Sequence, residues 1–262
     1  MQALISFAFG SIVGSFLNVC ILRMPKDESV AFPSSRCPNC QKPIAWHDNI
    51  PILSFLLLRA RCRHCRAAIS WQYPVIEALT GLLFAVFLDR FGLGPKGFLY
   101  LYLALVLLAQ GVIDFRYRII PDLLTLPAIG VAVVASAFFP EIHGEGAHGA
   151  ALWASLKGVL LGGGFLYAVG SIAEWIMKKE AMGGGDVKLL AAIGGVVGWR
   201  GVVWTIFVSA LVGSIIGVWE KYLCKKGDGY IPYGPFLGLA AFLYLFVGPQ
   251  TIEWYLGYLK GN

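Results

Sequence analysis

Two groups of side chains in this sequence could carry chemistry: a pair of aspartates at the edges of apolar runs, and four cysteines in one polar stretch. Asp114 ends the apolar run 99–113, and Asp186 follows Gly183-Gly184-Gly185 just before the apolar run 189–197. Ionisable groups at the boundary of a membrane span are functional candidates, although such a position also suits a carboxylate that is merely solvated. Two carboxylates brought together in low dielectric share a proton, because both cannot ionise cheaply. One then acts as base toward water and the other as acid toward a carbonyl, which is the chemistry of aspartic proteolysis. Gly183 and Gly185 remove bulk and permit unusual dihedrals, so an extended substrate or another backbone can approach Asp186. The same glycines would also serve a plain turn or a small-residue helix contact.

Cys37-Pro38-Asn39-Cys40 and Cys62-Arg63-His64-Cys65 are two CxxC knuckles separated by 21 residues. Each can present two thiolates to one ion, and together they complete the closed four-sulfur set of a structural zinc site. A redox pair or a disulfide would use the same residues, but a reducing compartment leaves the thiols to a metal. A polar stretch of this size has too little apolar content to hold itself together by burial, so a metal staple is physically sensible. Cys20 and Cys224 fall outside the pattern and receive no role.

The elements that must position these groups follow from composition. Of 262 residues, 58 % are hydrophobic and 14 % charged, and the mean hydropathy is +0.71. Those values exclude a disordered chain and point away from a soluble domain, which carries about 25 % charged residues. Apolar runs at 2–22, 74–90, 97–114, 122–139, 151–176, 187–199, 202–219 and 232–258 predict about eight transmembrane helices. One long polar insertion, 23–73, separates the first two and holds all four paired cysteines. No repeat of convincing period is evident, and the segment 140–149 reads as a small solvated loop whose His143 and His148 bind nothing.

The net charge of +6 reflects loop orientation rather than nucleic acid. An even number of spans divides the loops into two sets. Sixteen of the 21 Lys and Arg fall in the set containing the insertion, which predicts that this set is cytoplasmic and that both termini are external. Asp114 and Asp186 then lie at the cytoplasmic rim. Asp122, in Ile119-Ile120-Pro121-Asp122, is a third carboxylate and reads as the cap of the fourth span. Lys188, two residues after Asp186, would either tune that carboxylate or mark the interface.

With these features in order, Gly14-Ser15-Phe16-Leu17-Asn18-Val19 with Arg23 and Pro25, the double CxxC, Asn49-Ile50-Pro51, Tyr73-Pro74 with Glu77, Asp114 to Asp122, Gly183 to Lys188, and Ile231 to Pro235 resemble the type IV prepilin peptidases. The resemblance implies an all-α integral membrane protein: a first transmembrane helix (1–22), a small cytoplasmic zinc-binding insertion (23–73) and a polytopic aspartic peptidase domain (74–262). It implies an enzyme of the bacterial inner membrane that cuts the basic leader from type IV prepilins and type II secretion pseudopilins at the cytoplasmic face. N-methylation of the new terminus with S-adenosylmethionine is implied as well. The catalytic pair maps onto Asp114 and Asp186, and the zinc ligands onto Cys37, Cys40, Cys62 and Cys65. Asn18 and Glu77 either organise the site or satisfy interhelical hydrogen bonds. Arg116 stands where many relatives carry a second aspartate, which leaves Asp114 unambiguous. Arg59-Ala60-Arg61-Cys62 departs from a common Arg-Gly-Lys-Cys, which bears on methylation, and no residues of an S-adenosylmethionine site are identified. A polytopic transporter or scaffold with a zinc module is the alternative reading.

Overall fold

The computed structural model describes residues 1–178, 183–219 and 233–259. These residues form helices and loops with no strand beyond two isolated bridges. Helices α1 (Gln2–Arg23), α2 (Leu53–Leu57), α3 (Gln72–Phe91), α4 (Pro95–Tyr117), α5 (Asp122–Phe138), α6 (His148–Met177), α7 (Gly184–Trp219) and α8 (Gly234–Leu259) follow in chain order. Five of them, α1, α4, α6, α7 and α8, are long and apolar enough to cross a membrane. Within the described residues, helix forms in each of the eight predicted spans, one residue short at the end of the fourth and at the start of the eighth. The chain divides into two compact units, Met1–Leu101 and Tyr102–Asn262.

In the first unit α1 and α3 run antiparallel with small residues at the crossing. A Cβ on Gly14 would stand 2.8 Å from the Glu77 Cα, and one on Gly81 would stand 2.6 Å from the Ser11 Oγ. This is the close backbone approach by which helices associate where lipid offers no hydrophobic drive. The insertion is anchored to this pair by buried polar groups. Asn18 donates to the carbonyls of Gly14 and Tyr73 at 3.3 and 3.1 Å, and the Glu77 carboxylate accepts the Ile52 N–H at 2.7 Å. Ile52 sits at φ +61°, a conformation that β-branched residues avoid, so Glu77 holds a backbone segment that would not choose this shape alone.

In the second unit the first half of α7 is the central element, buried continuously from Leu189 to Gly198. Its Gly194 meets Gly158 of α6 backbone to backbone, and a Cβ on Gly195 would stand 2.9 Å from Ala132 of α5. Ser155 on α6 donates to the Gly195 carbonyl at 2.8 Å. Thirty-six residues of straight helix would be about 54 Å long, well beyond a bilayer core. The helix does not stay straight, because Gly198 has φ +72° and ψ 178°. A Cβ on Gly194 would lie 2.8 Å from Val202 Cγ2, although eight residues of regular helix separate their ends by about 12 Å. The chain therefore folds back at Gly198, and the sixth and seventh predicted spans are the two arms.

Two expectations are corrected. The segment 140–149 is not a merely solvated loop: Ile142 is buried, Ser136 and His143 share a 3.0 Å hydrogen bond, and His148 Nδ1 donates to the Ala137 carbonyl at 3.0 Å. A short internal repeat also exists. Arg36-Cys37-x-x-Cys40 with Ile44 and Trp46 recurs as Arg61-Cys62-x-x-Cys65 with Ile69 and Trp71, and the backbone repeats with it. The Cys37 N–H donates to the Lys42 carbonyl as that of Cys62 donates to Ala67, and Ile44 donates to Ser35 as Ile69 donates to Ala60.

Candidate active site and metal site

Asp114 lies near the end of α4 and Asp186 in the first turn of α7, both in the second unit. Both side chains are buried, at 5 % and 9 % exposure, and they stand close enough for the charge of Asp114 to act on Asp186. The backbone at Gly234 packs against the Asp114 carboxylate, whereas Asp186 Oδ1 has no hydrogen-bond partner among the described residues. Two buried carboxylates within electrostatic range of each other are an arrangement that acid–base hydrolysis can use.

Ile120 fixes the geometry around the pair. A Cβ on Gly185 would stand 2.7 Å from Ile120 Cβ, and one on Gly234 would stand 3.2 Å from Ile120 Cδ1 and 2.5 Å from Asp114 Oδ2. Gly185 is thus required by packing, while a Cβ at Gly184 would meet nothing. Gly183 contributes its carbonyl, which accepts the Asp186 N–H at 3.1 Å. Lys188 turns to another carboxylate: its Nζ donates to both oxygens of Asp122 at 2.7 and 2.8 Å. Pro121, not Asp122, is the N-cap of α5, and the Asp122 carboxylate is taken by Lys188, so its part is to link α5 to α7. Asn18 and Glu77 act within the first unit, between its helices and the insertion.

Sequence reasoning missed three residues here. Gln110, one helical turn before Asp114, is fully buried. Its polarity inside an apolar span was a usable signal. Ile120 had no signal of its own, and Gly234 stood only as one residue of the Ile231 to Pro235 motif. Ile231 and Pro232, from the same motif, and Cys224 lie outside the described residues.

The four paired cysteines converge in the first unit, with all four Sγ atoms within 4.8 Å of one another. Zinc–sulfur bonds of about 2.3 Å in a tetrahedron set sulfur–sulfur edges of about 3.8 Å, and Cys37 Sγ lies 3.8 Å from Cys65 Sγ. The donor set therefore fits a tetrahedral thiophilic metal. The second knuckle favours thiolates, whereas at the first, despite the Lys42 N–H, desolvation and the neighbouring sulfurs raise the Cys40 thiol to about 11. N–H groups of Cys65 and His64 hold the Cys62 thiol below its ordinary value, and the Ala67 N–H and the Asn39 amide lower that of Cys65 to about 6. Asp48 braces the second knuckle through two hydrogen bonds from Arg63, at 2.7 and 2.5 Å.

The fold and the site together define a polytopic helical membrane protein built around paired carboxylates, with a separate four-thiol module. Residues 8–91 match the Bacterial Peptidase A24 N-terminal domain and residues 101–218 match the Type IV leader peptidase family. Curated relatives named Prepilin leader peptidase/N-methyltransferase include one from Stutzerimonas stutzeri, 33 % identical over 98 % of this chain and 94 % of the relative. One from Pseudomonas aeruginosa is 34 % identical over 97 % and 93 %, and one from Myxococcus xanthus is 38 % identical over 82 % and 62 %. No solved structure matches the chain. The chain belongs to the type IV leader peptidase family.

Proposed function

We propose that this protein removes the leader peptide from type IV prepilins and type II secretion pseudopilins, with Asp114 and Asp186 as the catalytic pair. The observation that carries this reading is two buried carboxylates within electrostatic reach of each other, while the neighbouring Lys188 is engaged by Asp122. Asp114, packed against Gly234, takes a proton from water, and the resulting hydroxide equivalent attacks the scissile carbonyl carbon. Asp186 gives its proton to the carbonyl oxygen, forming a tetrahedral diol. Collapse of the diol breaks the C–N bond as Asp114 passes its proton to the leaving nitrogen, and Asp186 recovers a proton from the diol hydroxyl.

The polytopic peptidase domain (74–262) sits in the lipid bilayer of the inner membrane, with the insertion (23–73) and the aspartates on the cytoplasmic side and both termini outside. The skewed placement of Lys and Arg supports this orientation. Cys37, Cys40, Cys62 and Cys65 hold zinc, which cross-links the two knuckles without entering the reaction. The names of the relatives support N-methylation of the new terminus with S-adenosylmethionine. The described residues contain no strand-to-glycine-loop unit of the kind that cradles such cofactors, so no residue is assigned to it. The test is co-expression with a tagged prepilin in a strain lacking its own peptidase, followed by intact mass. A leader-free product is expected, with an added methyl group if methylation is retained; uncut precursor would restore the transporter or scaffold reading.

A further inference from the structure

We propose that Gln110 is a further residue of this site, and that its side-chain amide binds the backbone of the substrate at the peptide bond to be cut. The inference rests on the reading of Asp114 and Asp186 as the cleaving pair.

Gln110 precedes Asp114 by four residues on α4, so the two side chains share one helix face. It is fully buried, yet neither Nε2 nor Oε1 has a hydrogen-bond partner among the described residues. A buried amide with both ends unpaired carries a desolvation penalty that leucine would avoid, and such exceptions call for a use. Its position indicates the use. The point that a Gly234 Cβ would occupy lies within 2.5 Å of both Gln110 Nε2 and Asp114 Oδ2, so those two atoms are at most about 5 Å apart by the triangle inequality. On the other side, Oε1 lies 3.7 Å from the corresponding point at Gly238. Asp186 Oδ1, of the same pair, is also unpartnered.

An amide offers two donors at nitrogen and an acceptor at oxygen, the complement of a peptide group. When a peptide lies across the carboxylates, Nε2 donates to the carbonyl oxygen at the scissile position and Oε1 accepts from a backbone N–H. The donor then supports the oxygen on which charge develops during attack, where a single well-placed hydrogen bond changes rates strongly. The contact reads backbone rather than side chains, so it serves every substrate of the class alike.

Gln110→Met keeps the volume and removes the amide, which separates the two roles Gln110 could have. Purified protein in detergent is assayed for prepilin cleavage and for thermal unfolding, with Asp114→Asn as the inactive control. Expected is a kcat about 100- to 1,000-fold lower with a Tm equal to or above wild type, because an unpaired buried amide has been removed. A wild-type kcat, or a Tm several degrees lower, would overturn the proposal in favour of a packing role. If Asp114→Asn also cuts, the assignment of the pair has failed and this inference fails with it.

Discussion

Lys188 and Asp122, 66 residues apart in sequence, are joined by two hydrogen bonds of 2.7 and 2.8 Å. The lysine that follows the catalytic candidate Asp186 by two residues is therefore engaged in linking the start of α7 to the start of α5. Both partners are substantially exposed, and such pairs contribute about 0–1 kcal/mol. Lys188→Met is expected to lower Tm by no more than a few degrees and to keep most prepilin cleavage, whereas loss of activity equal to that of Asp186→Asn would place Lys188 in the chemistry.

Gly185 faces Ile120 where a methyl group has no room. Gly185→Ala should cost about 1–3 kcal/mol through overpacking and should sharply reduce cleavage by shifting the first turn of α7 and Asp186 with it. The double variant Gly185→Ala with Ile120→Ala should recover much of the loss, which a double-mutant cycle on Tm and cleavage rate measures. Simple additivity would show that the two residues do not meet.

The sulfur cluster predicts one tightly held zinc per chain. Replacing Cys37 or Cys62 by serine should remove the metal in elemental analysis and make the insertion sensitive to limited proteolysis, since two knuckles with little core depend on the cross-link. Full resistance to protease without metal would contradict a structural role.

Arg63 holds the Asp48 carboxyl below the usual carboxylate range, by direct hydrogen bonding and by its charge. A carboxylate whose pKa is depressed on folding contributes stability that is present above the unfolded value of about 3.9 and is lost as pH falls through the lower folded value. Protease sensitivity of the insertion should therefore rise in acid. Asp48→Asn should show part of that sensitivity already at neutral pH; an unchanged acid response in the variant would assign the effect elsewhere.

Much of this architecture is legible from residue order because lipid imposes long apolar runs, and each run became helix. The reversal at Gly198 could be anticipated from Gly198-Trp199-Arg200 between two apolar stretches, and the convergence of the four cysteines from their spacing. Other relationships are invisible without coordinates. Nothing in the chain announces that Lys188 prefers Asp122, or that Ile120 occupies the space left by Gly185 and Gly234, because such contacts depend on how α5, α7 and α8 come together. The duplicated knuckle was legible and overlooked: only the arginine, cysteine, isoleucine and tryptophan anchors recur, over a period of 25 residues. Gln110 was hidden by its setting, one polar residue absorbed into an apolar run.

The central claim is that Asp114 and Asp186 act together on one water. The most direct test is the intact mass of a tagged prepilin co-expressed with wild-type protein, Asp114→Asn or Asp186→Asn, each variant shown to be inserted and folded at wild-type levels. The account predicts leader-free product with wild type and only full-length precursor with either variant. Cleavage by either variant at a rate near wild type would contradict it.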